Sequence, residues 1–307
     1  MRRKLLIVGR SYGACEVASH DGENGYGEDI IIVSEEPELP YHRPPLSKGC
    51  LKDPSDQRRP LKAAAFYSDN DIGLELGSRV IDLDPGARMA LLSNGTYIAF
   101  DTLALTVGTS ARKLSCPGAV IGNVYCLRSI ADARLLCAAT RDAQKIFVVG
   151  TGFIGLEVES TLIRLQKQVT ALDAKDRVLH WVVPLETSEY LASVHVSHGV
   201  KLLTSRAVQS LVDESRIVEK VVLQDGTSAV IVGIRSVPNL ELARLLALQS
   251  ADGIVVDSRS RTSQAYVFAA GDRTLFGGPF NTGGIRLESV QNVACSAGCD
   301  CRQRQGL

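Results

Sequence analysis

The chain lacks any long apolar run and any excess of charge of one sign. A membrane-spanning helix needs about 20 consecutive apolar residues, and no stretch approaches that length. Thirty-four basic residues balance thirty-four acidic ones, so no net field attracts nucleic acid or an anionic membrane surface. Leu5–Val8 supplies only four apolar residues after the charges of Arg2, Arg3 and Lys4, too few for a signal peptide. We therefore expect a cytoplasmic protein that binds neither nucleic acid nor membranes.

The eight cysteines lack the spacing of a redox-active pair. No Cys-x-x-Cys or Cys-x4-Cys motif is present, which argues against a disulfide reductase. Scattered cysteines in a chain of this size without a secretory signal are typical of buried thiols and not of a disulfide framework.

Metal ligands and aromatic residues are also sparse. His195 and His198 have a spacing that can bind metal on a helix, but no third ligand accompanies them. The cysteines at 295, 299 and 301 lack a recognised metal-site spacing and a histidine partner. We therefore predict no metal site. Aromatic residues make up 5% of the chain, and we interpret Trp181, its single tryptophan, as a packing residue.

The central glycine-rich stretch predicts a dinucleotide-binding turn. It follows the apolar strand Lys145–Val149 and leads into a segment with helical periodicity. Gly150 permits the tight turn, Gly152 lets the backbone approach a pyrophosphate, and Gly155 allows close helix–strand packing. The helix N-terminus presents free N–H groups to anionic oxygens. A plain turn between a strand and a helix, without a ligand, is the alternative.

Asp173 ends the following strand, where an acidic residue is expected about 20 residues after the glycines. A carboxylate there accepts ribose hydroxyls and repels a 2′-phosphate, which favours NADH over NADPH. The nearby cations Lys175 and Arg177 weaken that inference.

A second, altered turn follows Leu5–Val8 near the start of the chain. Gly9 keeps the first glycine position, whereas Ser11 and Ala14 occupy the other two. Both side chains are small enough for a pyrophosphate to approach. The next strand ends at Glu35, whose carboxylate would accept the hydroxyls of an adenosine ribose. We assign Gly9, Ser11, Gly13, Ala14 and Glu35 to this nucleotide site, with a purely structural turn as the alternative.

The segment Ser34–Lys48 carries the most specific signal. Its prolines fix the backbone, and Arg43 and Lys48 project cations beside the acidic end of the preceding apolar strand. The segment resembles the signature of the FAD-dependent ferredoxin reductases, which include rubredoxin, putidaredoxin and aromatic-dioxygenase reductases and have apoptosis-inducing factor as a relative. The resemblance covers nearly all of residues 4–294 in order.

The resemblance implies how the chain holds FAD. It places Arg43 and Lys48 along the flavin, with Lys48 beside the isoalloxazine ring, where a cation would stabilise negative charge on the reduced flavin. It assigns Asp272 to a hydroxyl of the ribityl chain. The turn at Thr106-Val107-Gly108 replaces the Ala-Thr-Gly turn of the family, so its hydroxyl has moved by one residue. The further implied FAD contacts are Val80, Gly108, Arg128, Gly271, Ser289 and Val290.

The resemblance also implies the nicotinamide site. Glu157 matches the family glutamate that pairs with the loop lysine, so we predict a Glu157–Lys48 ion pair across two domains and name both residues as catalytic. An exposed first-turn glutamate, favoured by the helix dipole, is the alternative. Arg235 stands where the family has a glycine beside the nicotinamide, which threatens coenzyme access. The implied NAD contacts are Gly150, Gly152, Ile154, Gly155, Asp173 and Gly233.

The predicted fold class is α/β, with two three-layer Rossmann-like domains, one inserted in the other. Residues 1–112 and 237–307 form the FAD-binding domain and residues 113–236 the NAD(H)-binding domain. We expect the C-terminal interface domain of the family to be missing from this chain. Within the first domain, Asn94-Gly95 predicts a hairpin.

The implied function is transfer of hydride from NADH to FAD and of single electrons to a small iron–sulfur protein, ferredoxin or rubredoxin, of an oxygenase system. Two alternatives remain open. In the first alternative, the chain is an unspecific NADH oxidase or diaphorase with an exposed flavin. In the second, it is a non-catalytic nucleotide-binding remnant.

Overall fold

A computed structural model describes residues 3–23, 29–53, 60–119, 124–213, 218–223, 236–278 and 281–286. They form two compact units. The first draws its described residues from Met1–His42, Arg59–Thr109 and Pro238–Leu307, and the second draws them from Arg43–Arg58 and Ser110–Val237.

The described strands and helices follow one another along the whole chain. The strands are β1 (Lys4–Val8), β2 (Asp29–Ser34), β3 (Gly73–Leu76), β4 (Val80–Asp84), β5 (Met89–Leu92), β6 (Tyr97–Ala99), β7 (Thr102–Leu105), β8 (Thr109–Ala111), β9 (Lys145–Val149), β10 (Gln168–Leu172), β11 (Lys201–Leu203), β12 (Val208–Asp213), β13 (Val218–Leu223), β14 (Ser236–Pro238), β15 (Ile254–Val256), β16 (Val267–Ala269), β17 (Thr274–Gly278) and β18 (Asn281–Ile285). The helices are α1 (Tyr12–Glu23), α2 (Gly49–Lys52), α3 (Ala64–Asp69), α4 (Ile130–Asp142), α5 (Phe153–Arg164), α6 (Leu185–Ser197) and α7 (Glu241–Leu245), with a 3-10 helix at Pro44–Ser47.

The first unit is built on a five-stranded parallel sheet with the order β16-β7-β1-β2-β3. Successive side chains of a strand point to opposite faces. Leu5 and Ile7 of β1 therefore pack with α1, whereas Leu6 and Val8 pack with the antiparallel sheet β4-β5-β6. This arrangement makes three layers and confirms the predicted α/β class.

The hairpin predicted at Asn94-Gly95 is also confirmed. Strands β5 and β6 pair antiparallel on either side of it. Gly95 has a φ of +85°, a conformation that glycine adopts without steric cost.

The second unit contains the parallel sheet β11-β10-β9. One face of β9 packs with α4 and α5 through Ile146 and Val148, and Leu51 of α2 joins the same core. Its other face, with Phe147, packs against Leu211 of β12. All described helices are too short or too polar to cross a lipid bilayer.

Helix α5 approaches strand β9 more closely than any side chain at position 155 would allow. A Cβ atom built on Gly155 would lie 1.9 Å from the carbonyl oxygen of Gly150. At Gly152, the residue that precedes α5, a Cβ would meet nothing within 4 Å. The close packing and the open backbone that the sequence predicts for these two glycines are both present.

Serine substitutions at the two glycines should therefore have unequal effects on stability. Gly155→Ser forces the helix off the strand and should lower the free energy of unfolding by about 1–3 kcal/mol. Gly152→Ser, the matched control, adds the same side chain in open space at a position that favours serine, so its effect should be small. Urea denaturation measures both, and equal losses would contradict the packing argument.

Candidate nucleotide-binding sites

The glycine turn of the second unit holds the acidic residue that the sequence predicts for it. The backbone N–H and the hydroxyl of Thr151 donate to Asp173 Oδ2 at 2.8 and 2.7 Å. The backbone N–H of Lys175 donates to Oδ1 at 2.9 Å. Among the described residues Oδ1 accepts this one bond, and a carboxylate oxygen can accept two. Asp173 therefore fits a ribose hydroxyl beside the open backbone of Gly152.

The two cations near Asp173 are engaged by the protein itself. The guanidinium of Arg177 donates to the carbonyl oxygens of Val183 at 2.9 Å and His180 at 2.8 Å, so it holds the loop after β10. Lys175 Nζ lies 4.8 Å from the ring centroid of Trp181. The indole of Trp181 is 61% exposed, so the interpretation of this residue as packing is wrong.

The proline-rich segment meets helix α5 at Glu157. Lys48 Nζ lies 2.8 Å from Glu157 Oε2, and the Ser47 hydroxyl donates to the same oxygen. Thr161, one turn further along α5, donates its hydroxyl to the Ser47 carbonyl at 2.9 Å. The predicted Lys48–Glu157 ion pair is therefore present. Both residues belong to the second unit, whereas the sequence alone assigns Lys48 to the 1–112 range.

The turn of the first unit is closed on one side by Thr106, the residue that follows strand β7. Gly9 has a φ of +120°, and a Cβ there would lie 2.5 Å from the carbonyl oxygen of Thr106. The Thr106 hydroxyl, which lies one residue away from its position in the family turn, donates to the Val8 carbonyl at 3.0 Å. It therefore bonds to the end of strand β1. Ser11 remains half-buried. The turn thus keeps the small residues and the tight backbone that a pyrophosphate needs.

Arg10, between the small residues of this turn, turns its buried side chain toward Glu36 and Tyr41. Its guanidinium forms an ion pair with Glu36 and lies 4.2 Å from the ring centroid of Tyr41. Tyr41 donates its hydroxyl to Glu36 at 3.1 Å. Burial disfavours the charge of Arg10, but these two partners outweigh burial and raise the pKa of Arg10. Glu35 is exposed, so its carboxylate is accessible to a ligand.

The remaining candidate residues of the FAD and NAD sites lie in both units. In the first unit Val80 is buried in β4, and Gly108 has a φ of +57°. Gly271 and the half-buried Asp272 follow β16 there. In the second unit the Arg43 guanidinium donates to the Arg128 carbonyl at 3.0 Å. Gly13 and Ala14 of the first unit are buried in the first turn of α1. Ile154 of the second unit, a candidate NAD contact, lies in the first turn of α5. Gly233, Arg235, Ser289 and Val290 lie outside the described residues.

Arg273, directly after Asp272, is a buried charge that sequence reasoning missed. It is completely buried, and Nη1 reaches the carbonyl oxygen of Asn239 at 3.4 Å. Nε and Nη2 have no hydrogen-bond partner among the described residues. Burial lowers the pKa of Arg273 to about 9, an effect that the charge of Glu241 only partly offsets.

Comparisons with known proteins agree with this architecture. The family model described as pyridine nucleotide-disulphide oxidoreductase matches residues 3–295. Rhodocoxin reductase of Rhodococcus erythropolis is 34% identical over 307 residues, covering 98% of this chain and 72% of its own. Rubredoxin-NAD(+) reductase of Pseudomonas putida is 33% identical over 298 residues, covering 95% and 77%.

Two solved structures have the same fold. A ferredoxin reductase from Rhodopseudomonas palustris superposes with a TM-score of 0.92 at 32% identity, covering 98% of this chain and 76% of its own. The reductase of a covalent putidaredoxin reductase–putidaredoxin complex superposes with a TM-score of 0.90 at 28% identity, covering 98% and 75%.

Replacing Arg273 with methionine should stabilise the protein. The substitution removes a buried charge that has no ion-pair partner within the described part of the chain and keeps an apolar side chain of similar length, for a gain of about 1–4 kcal/mol near neutral pH. Since the folded state lowers the pKa of Arg273 to about 9, the unfolded chain binds this proton more tightly. The free energy of unfolding of the parent protein therefore rises, relative to that of Arg273→Met, as the pH rises through about 9.

Urea denaturation at about pH 8 and about pH 10 tests the sign of this linkage. The advantage of Arg273→Met should narrow at the higher pH. Arg244→Met, at an exposed position of the same unit, should show no such trend. A destabilised Arg273→Met protein would mean that the guanidinium is favourably solvated.

Proposed function

This chain belongs to the pyridine nucleotide-disulphide oxidoreductase family, and we propose that it is a FAD-dependent NADH oxidoreductase that delivers electrons to a small iron–sulfur protein. Relatives named as ferredoxin and rubredoxin reductases support the choice of acceptor. The Lys48–Glu157 ion pair, at the start of the helix that follows the dinucleotide turn, is the observation that carries the proposal.

We assign FAD to the first unit and NADH to the second. The turn at Gly9 and the exposed Glu35 suit the adenosine diphosphate part of FAD, and Asp272 suits its ribityl chain. The turn at Gly150 and Asp173 suit the coenzyme, and the acidic character of Asp173 favours NADH. The proposed location is the cytoplasm, where NADH is produced.

FAD held by the turn at Gly9, Glu35 and Asp272 would supply a two-electron acceptor for the hydride of NADH and a one-electron donor to two equivalents of the iron–sulfur protein, with one proton released to solvent. The chain contributes binding, orientation and charge. Glu157 and the prolines of the 3-10 helix fix Lys48 in place before any ligand arrives. A cation fixed in advance stabilises developing negative charge without reorganisation during the reaction, which is the role we assign to Lys48.

The purified protein tests this proposal directly. We expect a yellow protein whose flavin absorbance bleaches on anaerobic addition of NADH. Reoxidation should be faster with oxidised ferredoxin or rubredoxin than with dioxygen. Equal rates with dioxygen would indicate an NADH oxidase, and a colourless protein that takes up no added FAD would leave only a nucleotide-binding remnant.

The ion pair has its own test. Glu157→Gln keeps a hydrogen-bond acceptor for Ser47 but removes the charge that holds Lys48, so flavin reduction by NADH should slow about tenfold, or about 1.4 kcal/mol in the barrier. Stopped-flow absorbance measures this rate. Glu189→Gln, at an exposed glutamate of α6, is the control and should leave it unchanged. A normal rate in Glu157→Gln would remove the ion pair from the mechanism.

A further inference from the structure

Trp181 presents a large exposed surface in the loop that is joined to the glycine turn at Gly150. Indole is the largest side chain and is usually mostly buried, yet 61% of this one is exposed. Its described ring contacts are with His180, whose ring centroid lies 4.6 Å away, and with the ammonium of Lys175. More than half of the surface of this residue is therefore open to solvent.

The backbone around Trp181 is nevertheless firmly held. Leu179, two residues before it, donates its N–H to the carbonyl oxygen of Thr151 at 3.1 Å, which fastens the loop to the glycine turn. Arg177 bonds the carbonyl oxygens of His180 and Val183, one on each side of the tryptophan. The exposed ring thus stands on a rigid support, a common property of binding surfaces.

The same contacts connect the indole to the ribose-binding acid. Lys175 donates its backbone N–H to Asp173 and carries its ammonium to the Trp181 ring. Thr151 donates its hydroxyl to Asp173 and accepts the Leu179 N–H at its backbone carbonyl oxygen. One short network therefore fixes both a carboxylate suited to ribose hydroxyls and a flat aromatic surface.

In an adenine dinucleotide, the adenine base is joined directly to the ribose that such a carboxylate binds. We propose that Trp181 is the stacking platform for the adenine ring of the nicotinamide coenzyme. This assignment rests on the proposed function, since it requires that the second unit bind NADH. A base on an aromatic side chain gains stacking energy that is lost on substitution by alanine, and the cost we expect is about a tenfold weakening of binding.

The single tryptophan makes the test direct, because all indole fluorescence of the chain comes from position 181. In the FAD-loaded protein, ADP-ribose and AMP should change this emission saturably. Nicotinamide mononucleotide, which lacks adenine, should leave it unchanged. Emission that does not respond to ADP-ribose at concentrations shown by calorimetry to be saturating would overturn the assignment.

Calorimetry on variants supplies the second measurement. Trp181→Ala should weaken ADP-ribose binding about tenfold, whereas Trp181→Phe, which keeps an aromatic face, should restore most of it. Tyr190→Ala, at another exposed aromatic of the same unit, is the control and should bind normally. Unchanged affinity in Trp181→Ala would contradict the proposal, as would quenching by the iron–sulfur protein but not by ADP-ribose.

The two proposals fail in different ways. If NADH bleaches the flavin while Trp181→Ala binds ADP-ribose normally, only the adenine assignment fails. If ADP-ribose does not bind and NADH does not bleach the flavin, the proposed function fails as well.

Discussion

The absence of a side chain at position 155 is the constraint on which the second unit depends. With its Cβ site 1.9 Å from the Gly150 carbonyl, α5 can lie directly against β9 only because residue 155 is glycine. That approach sets where α5 begins, and the start of α5 places Glu157 within reach of Ser47 and Lys48. The proline-rich segment is thus positioned by a backbone contact that it does not itself make.

Two buried arginines of the first unit, Arg10 and Arg273, have pKa values shifted in opposite directions. Arg10 has a carboxylate and an aromatic ring as partners and keeps its proton more firmly than usual. Arg273 has a distant carbonyl and an incomplete set of hydrogen bonds among the described residues, and it holds its proton less firmly. Burial disfavours the charge of both residues, and only Arg10 has a carboxylate partner whose attraction outweighs that cost.

Much of this structure follows from local sequence rules. Apolar runs, glycine turns and strand-end acids predict β9, α5 and Asp173, because strand and helix periodicities act over a few residues. The Lys48–Glu157 pair could be predicted only through a resemblance, since its members are far apart in sequence. The positions of Trp181 and Arg273 could not be predicted. Composition says how often such side chains are buried, but the location of each depends on tertiary contacts of its own loop.

The sheet order of the first unit has a consequence for biosynthesis. Strands β1, β2 and β7 leave the ribosome early, whereas β16, the neighbour of β7, leaves only after β8 to β15 have been made. The edge of β7 that pairs with β16 therefore lacks its partner strand while the intervening residues are synthesised. An unpaired apolar edge is prone to association with other chains. Efficient production of this protein should accordingly depend on chaperones that shield a nascent chain.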